Sequence, residues 1–452
     1  MKHERWIDQG RRLVAYWLGL SLIFLIMMLY RMEYDFGWHI AAGTYIRSHG
    51  VPLQDIYSYT AGNFAWIDHE WLHDVIISWI YNVGGYVLVA VVFALAWSAA
   101  VMLASRKSVL PILLLATEAV LPFSAARPAL WGFLFFAITQ RLLEKSSRVQ
   151  WVVLPPLTVL WANLHGSFPL LLLLLGGAWW QRRAWGPGIL LGICAALTLL
   201  NPFGWRVYEE IARSIFDPGL GRYVQEWAAF ALPIMGWLYA TCYALMWHEF
   251  DGKMRRQIWQ LATLTAAIGS ARQLPLFVAA SLRSFELYAL KLDEKIKLGN
   301  HGRSLAMWVI FCALAGGVVQ NTWFAGHILG HDARYQMPQA PAMYLATHPC
   351  AGNVFNDYDF GGYLIWKVPG FKTYIDGRMP SWRDDQGVRY IDRYLRIIKD
   401  NDYRAQQFGQ YNVKCAVLAA KRSHSSASLV SSLEKQGWHE RARDDVSVLL
   451  IQ

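Results

Sequence analysis

Apolar runs near membrane length recur through most of the chain, at 13–31, 86–105, 108–126, 128–143, 151–164, 167–180, 185–200, 229–247, 257–271, 274–290 and 304–322. A helix of about 20 apolar residues crosses the hydrocarbon core, so the pattern predicts about eleven spans. Segment 71–82, WLHDVIISWIYN, is amphipathic and stops at Gly84–Gly85. It predicts an interfacial helix or a lead-in to the second span. Past residue 322 the pattern changes to short apolar blocks among polar and turn residues. There NVFNDYD, GYLIW, KTYID, CAVLAA and VSVLLI predict strands, and IDRYLRIIKD and ASLVSSLEKQ predict helices. The expected organisation is a polytopic α-helical membrane domain over 1–322, with an outer loop at 32–85, and a small extracytoplasmic α/β domain over 323–452.

Charge supplies the orientation. The amino-terminal segment carries Lys2, Arg5, Arg11 and Arg12. If it lies inside, so do Arg106–Lys107 and the basic loops at 141–148, 181–183, 248–256 and 291–303. Short loops on the opposite side hold few Lys or Arg, as the positive-inside rule requires. The carboxyl-terminal domain then falls outside, which in a bacterium is the periplasmic face of the cytoplasmic membrane. No signal-peptide cleavage pattern follows the first run, so it is expected to stay as a helix. Composition agrees: 55% of residues are hydrophobic and 16% charged, with 23 Trp. The net charge of +10 sits largely in the inner loops and reads as topology, not as a nucleic-acid surface. Cys194, Cys242 and Cys312 lie in apolar runs. Cys350 and Cys415 can pair if the tail is extracytoplasmic, although spacing alone does not establish the bond.

With this map, polar residues collect on the outer face. Asp35 and His39 follow the first span, and Asp68, His69, Glu70 and Asp74 close the same loop. Arg127, Asn163, His165, Asn201, Arg206 and Arg272 sit at outer helix ends, and Glu118 lies inside a span. Each has a plain reading as an interface anchor or helix cap. Glu118 is either paired, with Arg127 a candidate, or lines a polar cavity. Together they supply carboxylates, Arg and His on one face, which suits a substrate with a phosphate leaving group. Nucleotide sugars and ATP reside on the other side of the membrane, so the fitting donor is a sugar on a polyprenyl phosphate. Asp35 is then the candidate base, with Glu70 and His165 as further catalytic candidates. Arg127 and Arg272 are the candidate phosphate clamps. Asp35, Asp68 and Glu70 could hold a divalent cation, Mg2+ or Mn2+, with His69 a weaker ligand; no cofactor is certain. In the tail, NDYDFGGYLIW and YIDGRMPSW place Asp357, Asp359, Asp376 and Arg378 at turns. They read either as tight turns capping strands or as an acceptor-binding surface.

The segments YDFGWHIAAGTYI, DIYSYT, DHEWLHD, ARPALWGFLFF, WANLHGSF, LNPFGWRVYEE and ARQLPLF, with the tail GNVFNDYDFGGYLIWKVPGFKTYIDGR, resemble a family of bacterial polytopic membrane proteins. That family is grouped with the GT-C superfamily of lipid-phosphate-sugar-dependent glycosyltransferases. The resemblance implies a GT-C-like fold and places Asp35 at the first-loop acid taken as catalytic or metal-binding. In the oligosaccharyltransferase branch a Trp-Trp-Asp-Tyr-Gly motif binds the acceptor peptide. Asp359, Phe360 and Gly361 are similar to its last three residues, while Asp357 and Tyr358 replace its two tryptophans. The expected partners are a polyprenyl-phosphate-linked donor, membrane lipid and a glycan, lipid or protein acceptor, with an envelope-complex partner also in view. Competing readings are a transporter or flippase, a ligase or polymerase of lipid-linked saccharides, and a non-catalytic envelope subunit. An internal repeat would favour transport, and none is visible.

Overall fold

Gly84 and Gly85 break the helix Trp71–Ala104: Gly85 has φ 65° and ψ −165°, a conformation that favours glycine. The break separates the amphipathic piece expected at 71–82 from an apolar piece that continues to Ala104. It also marks a boundary between two compact units in this computed structural model. One unit is Met1–Leu29, Tyr86–Trp205 and Val224–Ile328; the other is Tyr30–Gly85, Arg206–Tyr223 and Leu329–Gln452. The structure describes residues 2–30, 32–144, 148–217, 219–246, 254–296, 337–420 and 426–452. The span expected at 304–322, the beginning of the tail from 323, and parts of the basic loops at 141–148, 248–256 and 291–303 lie outside the described residues.

The first unit is helical. Its first helix, Lys2–Tyr30, turns Val14, Leu18, Leu22 and Ile26 outward in a stripe four residues apart, all half or more exposed. Its other side buries Leu20, Phe24 and Met28. Apolar faces on both sides are what a helix meeting lipid and protein needs. By length and composition, Asp8–Leu29 and Trp71–Ala104 are each sufficient to cross a bilayer. Helices Leu110–Phe123, Ala129–Leu143, Val149–Leu164, Trp185–Leu197 and Ile234–Leu245 are apolar but shorter. Glu286, fully buried in the helix Leu274–Ile296, accepts Ser105 Oγ at 2.5 Å and the backbone N–H groups of Arg106, Lys107 and Val109. A carboxylate inside an apolar helix is thus spent on closing the loop that follows Ala104.

The second unit is built on a four-stranded sheet in the order β1-β2-β4-β3, where β1 is Asn353–Asn356, β2 Val413–Ala419, β3 His439–Arg443 and β4 Ser447–Ile451. β1 and β2 run parallel, and the other pairings are antiparallel. Along β2 the alternation is visible in the core: Cys415, Val417 and Ala419 face one apolar cluster, Ala416 and Leu418 the other. The second of these clusters includes Trp38, Ala42, Ala61 and Trp66 from the 32–85 loop. That loop therefore shares a core with the tail. Cys350 and Cys415 form a disulfide with Cα atoms 6.2 Å apart.

Two expected strands are corrected. GYLIW lies in a helix, Gly361–Lys367, and KTYID contributes only an isolated bridge between Thr373 and Ser58. Period-2 apolarity in so short a block does not separate a buried strand from a buried helical turn. Helices Gln339–Thr347 and Asn401–Gln410 and strand β3 were not expected; β3 is an exposed edge with little apolar signal.

Candidate functional site

Four glycines explain how the 32–85 loop and the tail come to share one site. A Cβ on Gly37 would sit 2.3 Å from the carbonyl oxygen of Gly362, and one on Gly362 would sit 2.7 Å from that of Tyr34. A Cβ on Gly361 would meet the Ile375 carbonyl at 2.5 Å, and one on Gly377 would meet Asp35 Oδ1 at 1.8 Å. Only glycine permits these approaches. The motifs DFGW, DFGG and DGR are therefore three backbones stacked against one another, with the carboxylate of Asp35 resting on the DGR turn.

Asp35 is the N-cap of the helix Phe36–His49 and is half-buried. Around it the same unit gathers acids and imidazoles. His39, buried one turn on, bonds Asp74 through Nδ1 at 2.6 Å. Burial holds the His39 pKa below its ordinary value, against the pull of Glu70, Asp35, Asp68 and Glu33. Asp68 is buried, and burial together with the neighbouring Asp74 charge raises its pKa well above the carboxylate range. His69 faces Glu70 at 3.4 Å. Burial opposes its charge, yet the Glu70 carboxylate outweighs that and pushes the His69 pKa up to about 9. Asp35, His69 and Glu70 are the partly exposed members; Asp68, His39 and Asp74 lie behind them in burial.

The expected acceptor residues fare differently. Asp376 accepts Arg378 Nε at 2.8 Å and Nη2 at 2.7 Å, and Arg378 Nη1 reaches Asp55 Oδ1 at 2.7 Å. The guanidinium also lies within 5.4 Å of the ring centres of Trp66, Tyr57 and Trp382. Both acids and the arginine are sealed from solvent. Asp357, equally buried, accepts the Asp359 N–H at 3.1 Å and the hydroxyl of Ser426. Asp357, Asp376 and Arg378 are thus buried in hydrogen bonds that hold loops together. Asp359 is only half-buried. Sequence reading missed Asp55, whose signal was the Asx turn it makes with Tyr57 and Ser58 in DIYSYT.

In the helical unit, Arg127 and Arg272 converge on Glu226, a residue the sequence did not single out. Arg127 Nη1 bonds Glu226 Oε2, and Arg272 Nη1 lies 3.7 Å from Glu226 Oε1. Arg272 also stacks 5.2 Å from the centre of the Trp227 ring. All three charged side chains keep 21–27% of their surface exposed. His165 caps the helix Val149–Leu164 and pairs with Ser167 Oγ at 2.7 Å. Asn163 donates to the Leu200 carbonyl at 2.9 Å, and Asn201 closes the NPFG turn through Phe203 N–H at 2.8 Å. Arg206 opens the helix Arg206–Phe216, and Glu118 is buried in Leu110–Val120.

No protein-family model and no curated protein sequence matches this chain. Its structure, however, is similar to that of the oligosaccharyltransferase AglB from Archaeoglobus fulgidus, solved with an inhibitory peptide and a dolichol-phosphate: TM-score 0.60, 11% identity, 92% of this chain and 70% of that one. A second structure of an A. fulgidus oligosaccharyltransferase, tethered to an acceptor peptide, gives TM-score 0.54 at 11% identity over 90% and 69%. ArnT from Cupriavidus metallidurans, in the apo state, gives 0.49 at 13% identity over 98% of both chains. The chain therefore has the fold of the A. fulgidus oligosaccharyltransferase, here a many-helix unit together with a unit that contains a four-stranded sheet.

Proposed function

We propose that the protein is a glycosyltransferase that moves a sugar from a polyprenyl-phosphate carrier to an acceptor hydroxyl at the outer face of the bacterial cytoplasmic membrane. The observation that carries this is the fold shared with an oligosaccharyltransferase that binds a dolichol-phosphate. Asp35 takes the acceptor proton as the new bond to the sugar C1 forms and the C1–phosphate oxygen bond breaks. Arg127 and Arg272 receive the charge that develops on the departing phosphate. A guanidinium pair already holding the carboxylate of Glu226 is chemically suited to a phosphate. Glu70, held by His69, is a second acid beside the base. Alternatively Asp35 serves as a metal ligand: a divalent cation held by Asp35, Asp68 and Glu70 would stabilise the leaving phosphate, and the fit rests on Asp68 Oδ2, which is buried without an N–H or hydroxyl donor. The disulfide in the tail supports an oxidising compartment there, in line with the loop charges. Asp357, Asp376 and Arg378 serve the shape of the site, and Asp359 is the remaining acceptor-facing candidate.

The test compares envelope and lipid-linked glycans by mass spectrometry in cells lacking the gene, complemented with wild type or Asp35→Asn. A sugar lost in the deletion should return with wild type. The normally expressed variant should fail, because removing a general base lowers the rate by roughly 10²–10⁴. Equal restoration by both would end the role given to Asp35. A glycan profile that never changes, with accumulation of a lipid-linked saccharide on one side, would instead favour transport.

A further inference from the structure

Behind the partly exposed acids lies a cluster that the transfer chemistry does not use. His39, His73 and Asp74 are almost entirely buried, and each offers a ligand atom within 4.8 Å of the other two. His39 Nδ1 and Asp74 Oδ1 are 2.6 Å apart, and the two imidazoles meet edge to face with centres 4.9 Å apart. Asp74 Oδ2 is also sealed from solvent, beside the Asp68 acid and with no N–H or hydroxyl donor. A buried carboxylate oxygen without such a donor is costly.

We propose that His39, His73 and Asp74 bind one divalent first-row transition ion of the Zn2+ kind. Two imidazole nitrogens and a carboxylate oxygen suit such an ion; Mg2+ prefers an all-oxygen set and retains water. The site thus differs in donors and depth from a carboxylate-bound cation at Asp35 and Glu70. Binding displaces the proton shared by His39 and Asp74, and the two atoms separate from 2.6 Å to roughly 3.3 Å, as tetrahedral bonds near 2.05 Å require. With its ligands this enclosed, the ion is a clamp. It ties the helix Phe36–His49, whose N-cap is Asp35, to the start of Trp71–Ala104, which follows the 68–70 acids. The inference does not depend on the glycosyltransferase reading.

Full-length protein in detergent is stripped with chelator, loaded with Zn2+, and its metal measured by mass spectrometry. Wild type should retain about one ion per chain. His39→Gln and His73→Gln should each retain at least tenfold less, whereas the exposed control His439→Gln should match wild type. Absence of metal in wild type, or full retention in both histidine variants, overturns the site. Should the histidine variants not fold, X-ray absorption of zinc-loaded wild type decides: a shell with two imidazoles supports the proposal, and an all-oxygen shell overturns it.

Discussion

Two arginine–carboxylate clusters look alike in sequence and differ in the structure. Arg378 in the sheet-bearing unit has Asp376 on one side and Asp55 on the other, both sealed, with three aromatic rings around the guanidinium. Arg127 and Arg272 in the helical unit share a single carboxylate, Glu226, and all three remain about a quarter exposed. The first cluster has balanced charge, saturated hydrogen bonds and no access. The second brings two guanidinium groups to one carboxylate and is open to water. A buried, saturated ion network specifies shape; one whose cations reach water is available to an anionic ligand. Motif chemistry alone assigns both to substrate, and burial separates them.

The largest effect is expected where the network is closed. Arg378→Met leaves Asp55 and Asp376 facing each other without their cation. Breaking one partner of a buried pair costs about 3–5 kcal/mol. Thermal unfolding of the purified variant should show a large loss of stability, with loss of the folded sheet-bearing unit at growth temperature. A stable Arg378→Met protein that has lost only acceptor affinity would collapse the distinction and return Arg378 to the substrate surface.

Apolar runs, loop charges and the change of texture past residue 322 are legible in the sequence, because these are properties of composition over long windows. Arg127 and Arg272 are conspicuous too, as cations at the ends of apolar runs. The sequence did not carry the division into units, because the 32–85 loop reads as a membrane-domain loop until Trp38 and Trp66 are seen in the tail's core. Nor did it carry the use of the glycines. Gly377 reads as a turn residue, whereas its missing Cβ is the space occupied by Asp35. Glu226 and His73 were invisible for one reason: the residues they meet lie far away in sequence, at Arg127 and His39. Side-chain pairing over such separations leaves no local pattern.

A smaller but sharper effect is expected at the open cluster. Arg127→Gln and Arg272→Gln should each lower turnover by about 10² or more, since a donor aimed at developing charge is worth roughly 2.7–4 kcal/mol. Their melting temperatures should shift far less than that of Arg378→Met, because partly exposed pairs contribute about 0–1 kcal/mol to stability. The measurement is initial rate with a short-chain polyprenyl-phosphate sugar, beside thermal unfolding of the same samples. A variant that keeps its rate and loses its stability would make the open cluster a second strut.

Glu226 gives the finest division between the two clusters. If the arginines await a phosphate, the carboxylate they now hold competes for the same N–H groups, and removing its charge helps the incoming anion. Glu226→Gln keeps the shape and an acceptor oxygen while removing the carboxylate charge that both guanidinium groups face. The apparent KM for the donor should fall by up to about fivefold, the equivalent of the ~1 kcal/mol such a pair is worth. Turnover should stay near wild type, since Glu226 makes no bond to the reacting atoms in this scheme. The fall should shrink as salt is raised, because screening weakens all three charges together. If KM rises instead, Glu226 is part of the binding surface and the arginines are held in place by it, as Arg378 is held by its two acids. The open cluster would then differ from the closed one in exposure alone, and the donor phosphate would have to be sought elsewhere.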